Sequence, residues 1–355
     1  MEDGLFGFFK RFIGSASPSG FEQPAQRVWR EYVTPHVDRV ETDVMGNTWG
    51  ALEAKKGQRV MLAGHADEIG LMITYIDDQG FCSFEAIGGV DAHLLPGKRL
   101  FVHGHEGPVL GVIGRKPIHL LETEERTKVA KMKELFIDLG AADKASAEKL
   151  VAVGDPVTFV DGLERLQGDN VVGRGFDDKA GSLIVAEVLK RAGKKKKKLK
   201  CSVYGVSTVQ EEVGLRGARA CAFGIDPDIG ICVEVTFASD HPGAEKKTVG
   251  DVALGKGPVL SRGANINHKL FKRLKEIAAK EKIPLQVEAA PRATGTDANV
   301  MQLNRSGVAT ALVQIPLRYM HTSGEVVNLA DVENAIKLIT AFLLSLDGKE
   351  SWIPE

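Results

Sequence analysis

From residue 168 onward the chain alternates short apolar runs with segments of helical spacing. That alternation restricts the fold more than any other feature. Strands are expected at 200–208, 229–235, 285–289 and 308–315, and helices at 179–192, 214–222, 267–281 and 331–346. Upstream, Val60-Met61-Leu62-Ala63 is apolar without interruption, as in a strand buried on both faces. Residues 6–13 and 21–33 have helical spacing, and a hairpin-like pair at 37–44 and 48–53 leads into that strand. Strands that alternate with helices and hide both faces predict an α/β fold: a mixed or parallel β-sheet flanked by helices.

The texture changes between residues 69 and 167. Short alternating strands at 70–76, 80–87, 99–103, 109–113 and 156–160 are separated by glycine turns, with one helix expected at 127–151. The expected organisation is therefore one α/β domain of residues 1–68 and 168–355, interrupted by a β-rich insert, 69–167. A length of 355 residues suits two domains of about 150 residues each.

A net charge of −1 argues against nucleic acid or an anionic membrane as the main partner, since both require a basic surplus. No run approaches the ~18 apolar residues of a membrane span. The acidic start, Met1-Glu2-Asp3, followed by an apolar stretch broken at Lys10 and Arg11, does not read as a signal peptide. A cytoplasmic protein is expected. Cys82, Cys201, Cys221 and Cys232 lie at irregular spacings, which predicts reduced core thiols. The run 194–198, five lysines between a helix and a strand, predicts a solvated loop.

Five short segments carry the chemistry: Gly64-His65-Ala66-Asp67, Phe176-Asp177-Asp178-Lys179, Gln210-Glu211-Glu212-Val213, Val233-Glu234-Val235 and Tyr319-Met320-His321. In extended backbone His65 and Asp67 point to the same side, so the carboxylate can fix the tautomer of a metal-ligating imidazole. Asp177-Asp178 at a helix start suits either capping or bridging between two cations. A buried strand that delivers Glu211 and Glu212 into a core needs a cation there, because unpaired buried carboxylates are costly. Glu234 closes a second such strand, and His321 follows a third. His103-Gly104-His105 has metal-like spacing but lacks nearby acids, so it is not expected to bind an ion.

Taken in order, Gly64-His65-Ala66-Asp67-Glu68-Ile69-Gly70, Gly173-Arg174-Gly175-Phe176-Asp177-Asp178-Lys179-Ala180-Gly181, Gln210-Glu211-Glu212-Val213-Gly214, Gly295-Thr296-Asp297-Ala298 and Arg318-Tyr319-Met320-His321-Thr322-Ser323 closely resemble the tetrahedral (TET-type) aminopeptidases. These are cytoplasmic dinuclear metallo-exopeptidases related to glutamyl and deblocking aminopeptidases, and the resemblance covers essentially the whole chain. It implies that His65, Asp177 and Glu234 hold one metal, and that Asp177 bridges to a second held by Glu212 and His321. It further implies Glu211 as general base and Asp67 as the acid that orients His65. Relatives commonly have Asp where this chain has Glu234, a longer ligand arm.

The expected activity is metal-dependent removal of N-terminal residues from short peptides with two divalent ions, Zn²⁺ or Co²⁺. The resemblance also implies a homo-oligomer, a dimer assembling into a hollow dodecamer through the insert. Three rivals remain: a non-catalytic scaffold, a deacylase or carboxypeptidase on the same core, and a glycoside hydrolase using a carboxylate pair. The last needs no metal and leaves both histidines without a task.

Overall fold

The computed structural model describes residues 1–124 and 126–354. Its centre is an eight-stranded mixed sheet in the order Arg39–Thr42, Thr48–Leu52, Ser202–Thr208, Arg59–His65, Ile229–Phe237, Ala309–Leu317, Val259–Gly263, Gln286–Ala290. The four middle strands run parallel to one another. Side chains alternate across the buried strand Arg59–His65, which explains its unbroken apolar run. Val60 and Leu62 pack under the helix Phe176–Gly193, and Met61 and Ala63 pack under the helix Arg216–Ile225. Two further helices, His268–Lys280 and Leu329–Ser345, cover the first face.

Parallel register brings the carboxyl ends of these strands to one edge. His65 pairs with Thr208, and Ala63 pairs with Cys232, so Glu234, two residues on, stands level with His65. Ligand sites form at this edge of open α/β sheets. The helix Phe176–Gly193 must approach closely to place its first turn there, and two glycines permit it. A Cβ on Gly64 would lie 2.5 Å from the Ser182 nitrogen, and one on Gly181 would lie 2.4 Å from the Val233 carbonyl oxygen.

Gly70–Ile76, Cys82–Ile87, Phe136–Asp138, Gly107–Gly114, Arg99–Gly104 and Pro156–Phe159 close into a small antiparallel barrel. It has its own core around Leu71, Ile73, Phe84, Leu100, Val102 and Ile137. The helix expected at 127–151 is not formed. That stretch holds a short 3₁₀ turn, the strand Phe136–Asp138 and a five-residue helix, Lys144–Glu148. The alternation Leu135, Ile137, Leu139 has a strand period, Ile137 pairs with Cys82 and Ile113, and Gly140 at φ +72° turns the chain away. Beyond the barrel, Glu164–Arg165, Asn170–Gly173 and Glu325–Asn328 form a three-stranded sheet that the sequence did not foretell. It leads the chain from the barrel to Asp177 and carries Glu325.

All four cysteines are buried and free. The lysine run forms an exposed 3₁₀ turn, Lys196–Lys198. Among the described residues no helix is long and apolar enough to cross a membrane.

Candidate metal centre

The structure brings His65, Asp177, Glu211, Glu212, Glu234 and His321 together along the wall of one cavity of about 900 Å³. Asp177 sits between the two imidazoles. One of its oxygens is 3.1 Å from His65 Nε2 and the other 3.2 Å from His321 Nε2. Around His65 Nε2 also lie Glu234 Oε1 at 3.6 Å and Glu211 Oε2 at 3.8 Å. Glu212 Oε1 lies 3.5 Å from His321 Nε2.

Backbone carbonyls fix both rings. His65 Nδ1 is 3.0 Å from the Asp67 carbonyl oxygen, and His321 Nδ1 is 3.0 Å from that of Gly89. A carbonyl only accepts, so Nδ1 is the nitrogen that carries the proton in each neutral ring, and Nε2 turns its lone pair into the cluster. His321 reaches this position from a left-handed backbone, φ +61°, after Tyr319 at φ +63°. The Glu325 carboxylate secures that turn by accepting the His321 N–H at 2.9 Å, and it also accepts the Asp177 N–H at 3.2 Å.

Asp67 has a wider part than sequence suggested. Its carboxylate is 3.4 Å from His65 Nδ1, farther than its own carbonyl. It accepts the backbone N–H groups of Glu211 and Glu212, both at 3.1 Å, and the Ser19 hydroxyl at 2.7 Å. It therefore holds the two glutamates by their main chain. Asp178 acts similarly, accepting the N–H groups of His65 and Gly181. Although Asp178 could complete a ligand group with His65 and Glu234, both its oxygens are engaged by the backbone, which favours Asp177 as the ligand.

Sequence reasoning missed the ion triad beneath the site. Buried Glu68 meets Arg174 at 2.6 Å and Lys179 at 2.9 Å, and all three residues lie inside the quoted motifs. It also assigned no role to Asp297, which accepts the Thr208 hydroxyl at 2.6 Å. The alternation of acid with glycine in those motifs was the available signal. His103 bonds the Thr158 hydroxyl at 2.9 Å and is not part of the ligand cluster.

The electrostatics describe a cluster in which buried acids outnumber the two imidazoles. Burial, reinforced by Asp297 and Glu212, pushes Glu211 up to about 9; burial and then Asp177 push Glu212 up to about 8. Burial and then Asp178 hold Glu234 well above the usual carboxylate range. Burial opposes the charge on His65, yet Glu234 and Glu211 raise it well above an ordinary imidazole. The Asp177 hydrogen bond raises His321 to about 9.

The donor set fits divalent cations. A tetrahedral first-row ion with ligand bonds of about 2.1 Å spaces its donor atoms roughly 3.4 Å apart. The separations within the His65 and His321 groups, 3.1–3.6 Å for Asp177, Glu212 and Glu234, match that spacing. Glu212 Oε1 is also buried without any hydrogen-bond partner, although it lies within reach of His321. A buried orphan acceptor of this kind is expected where an ion binds.

The sequence profile of the M42 glutamyl aminopeptidase family matches residues 46–338. A lysyl aminopeptidase of Pyrococcus furiosus is 38% identical over 340 residues, covering 95% of this chain and 96% of that protein. A TET aminopeptidase from the marine sediment archaeon Thaumarchaeota archaeon SCGC AB-539-E09 superimposes with a TM-score of 0.93 at 34% identity, covering 97% of each chain. The TET1 peptidase of Pyrococcus horikoshii, which can assemble into a tetrahedron or a large octahedral shell, gives 0.86 at 32% identity, covering 96% of this chain and 100% of that one.

Proposed function

The chain belongs to the M42 glutamyl aminopeptidase family, and on that premise we propose that it is a metal-dependent aminopeptidase that releases N-terminal residues from short peptides. Two divalent ions, Zn²⁺ or Co²⁺, would be held by His65, Asp177 and Glu234 on one side and by Asp177, Glu212 and His321 on the other. The observation that carries this reading is Asp177, whose two oxygens each face a different imidazole at 3.1 and 3.2 Å. Ions held there would supply a lowered pKa for a bound water and polarisation of the scissile carbonyl.

The chain's own groups supply the rest. Glu211 projects beside His65 Nε2 at 3.8 Å, outside the tighter Asp177 and Glu234 contacts, and among the described residues no donor is hydrogen-bonded to its carboxylate. In the proposed mechanism it takes the proton of the attacking water and returns it to the leaving amine, a role worth roughly 10²–10⁴-fold in rate. Asp67 keeps that carboxylate in place through the Glu211 N–H. Elemental analysis together with hydrolysis of aminoacyl chromogenic substrates, before and after metal stripping, tests the proposal. Activity that survives complete stripping would overturn it.

The barrel would build a dimer and then a closed dodecamer, which keeps folded proteins from the site. Supporting this, Tyr75, Leu110, Ile118, Leu120 and Val153 of the segment 69–167 are each more than half exposed, an apolar surface suited to a partner. One solved TET1 structure at 32% identity is a dodecamer. Light scattering that shows a fully active monomer of 38.3 kDa would refute the assembly.

A further inference from the structure

One carboxylate in the cavity of the candidate metal centre takes no part in the ligand cluster. Glu288, on the strand Gln286–Ala290, lines that cavity together with Glu234, Thr236 and Gln314. Its position follows from sheet register. Glu234 is paired with Gln314 on the next strand and Ser261 with Glu288 on the two strands beyond; Gln314 is opposite Val259, two residues before Ser261 on the same side, and its amide reaches the Ser261 hydroxyl at 3.0 Å, so these polar side chains share one face of the sheet.

Three donors hold Glu288, and all are neutral. The Ser261 hydroxyl donates to Oε1 at 2.6 Å, the Gln314 amide donates to the same oxygen, and the Thr236 hydroxyl donates to Oε2 at 2.7 Å. Ser261, Gln314 and Thr236 are themselves buried, so the carboxylate is locked in one orientation. A carboxylate has about four acceptor sites. Three neutral donors leave one of them open, and they leave the negative charge uncancelled. Glu68, Glu187 and Asp240 each have a lysine or arginine nitrogen within 2.9 Å, and buried Asp67 and Asp331 accept main-chain N–H groups instead. Among the described residues no cation is paired with Glu288. Lys246 and Lys247, at the same cavity's rim, are exposed, and Lys246 is paired with Asp251 at 2.7 Å.

The distance from the metal ligands suits a substrate side chain. Thr236, in contact with Glu288, is two residues beyond Glu234 on one strand and faces the same side, a rise of about 6.6 Å. A lysine attached at the scissile end has a four-carbon stem to cross that span. Met320 along the same cavity offers apolar surface to the stem.

We propose that Glu288 is the specificity-determining residue of the substrate pocket and selects peptides whose N-terminal side chain is cationic, lysine or arginine. This rests on the aminopeptidase reading above. The test is a panel of Lys-, Arg-, Leu- and Glu-chromogenic substrates assayed with Zn²⁺- or Co²⁺-loaded enzyme, wild type against Glu288→Gln and Glu288→Asp. Wild type is expected to favour Lys and Arg. Glu288→Gln, isosteric and still able to bond Ser261 and Thr236, should lower the Lys-to-Leu ratio of kcat/KM on the order of 10–100-fold, chiefly through KM. Glu288→Asp, which restores the charge, should recover part of that ratio. A ratio unchanged in Glu288→Gln would show that the carboxylate only ties strands together. Wild type preferring Leu or Glu would overturn the specificity while leaving the aminopeptidase in place. Cleavage of none of the four substrates by metal-loaded enzyme would instead remove the functional reading itself, and the specificity with it.

Discussion

Glu68→Ala tests whether the triad beneath the centre supports the motifs above it. Glu68 is 2% exposed, Arg174 6% and Lys179 0%. The glutamate's two oxygens are shared between Arg174 Nη1 at 2.6 Å and Lys179 Nζ at 2.9 Å, and Oε1 also accepts the Ser17 N–H at 3.1 Å. Removing the anion leaves two buried cations and an unpaired N–H. Breaking a buried pair in this way costs about 3–5 kcal/mol, most of it the penalty of stranded charge. At about 2–4 °C per kcal/mol for a domain of this size, the melting temperature should fall by about 6–20 °C. Scanning calorimetry at a fixed scan rate, with metal and protein concentration matched, reads the change. The triple variant Glu68→Leu, Arg174→Met, Lys179→Met should regain part of the loss, because an apolar cluster of similar volume has no stranded charge. A drop below about 3 °C for Glu68→Ala would refute the reasoning, because it would mean that water or a new partner compensates both cations.

Glu211→Gln should lower kcat at least 100-fold with metal content retained, on the order expected for a lost general base; near wild-type turnover would place the base elsewhere. Asp67→Asn should be milder, about 10–100-fold, since the amide can still receive one of the Glu211 and Glu212 N–H groups but disturbs the other, and steady-state kinetics with metal analysis will show it. Gly89→Ala would put a methyl 2.8 Å from His321 Nδ1, so it should reduce kcat/KM and metal stoichiometry while moving the melting temperature little. For Glu187, burial opposes ionisation, but the Tyr32 hydroxyl at 2.6 Å and Arg191 at 2.9 Å outweigh it and hold the carboxyl below its ordinary 4.5. A depressed carboxylate stabilises the fold above pH 4.5 and loses that contribution as pH falls through the lower folded value. The urea-midpoint difference between wild type and Glu187→Gln should accordingly be constant above about pH 5.5 and shrink toward pH 3; a difference independent of pH would contradict it.

The α/β core could be read from sequence because a buried strand and the helix over it leave different periods. The unbroken Val60–Ala63 run predicted burial on both faces, and those side chains divide between two helix layers. The segment 127–151 misled because charged and small residues at 142–149 have helical spacing, while only the alternation at 135–139 reveals the barrel strand. Its partners, near residues 82 and 113, are set by topology that no local window contains. The candidate cluster was legible for a related reason: acids that terminate buried strands are conspicuous. What supports them was less so. Asp67 and Asp178 act through main-chain N–H groups of distant segments, and Glu325 acts on a left-handed turn four residues before it. A carboxylate that accepts backbone hydrogens has no sequence signature apart from burial.

The hydrogen bond from His321 to Gly89 joins two parts of the chain that truncation would otherwise separate. Gly88-Gly89 follows directly on a barrel strand, and Gly88 lies against Glu212, since a Cβ there would come within 3.3 Å of that carboxylate. Excising the barrel to obtain a smaller particle would also remove the strut that aims an imidazole. Dead protein from such a deletion would therefore say nothing about enclosure, and surface charges introduced on the barrel's outer wall are the cleaner test of the proposed dimer. The same wiring limits how freely this fold can exchange its insert. Any replacement module has to return a carbonyl to that one position, so the barrel cannot be varied without regard to the aim of an imidazole on the far side of the chain.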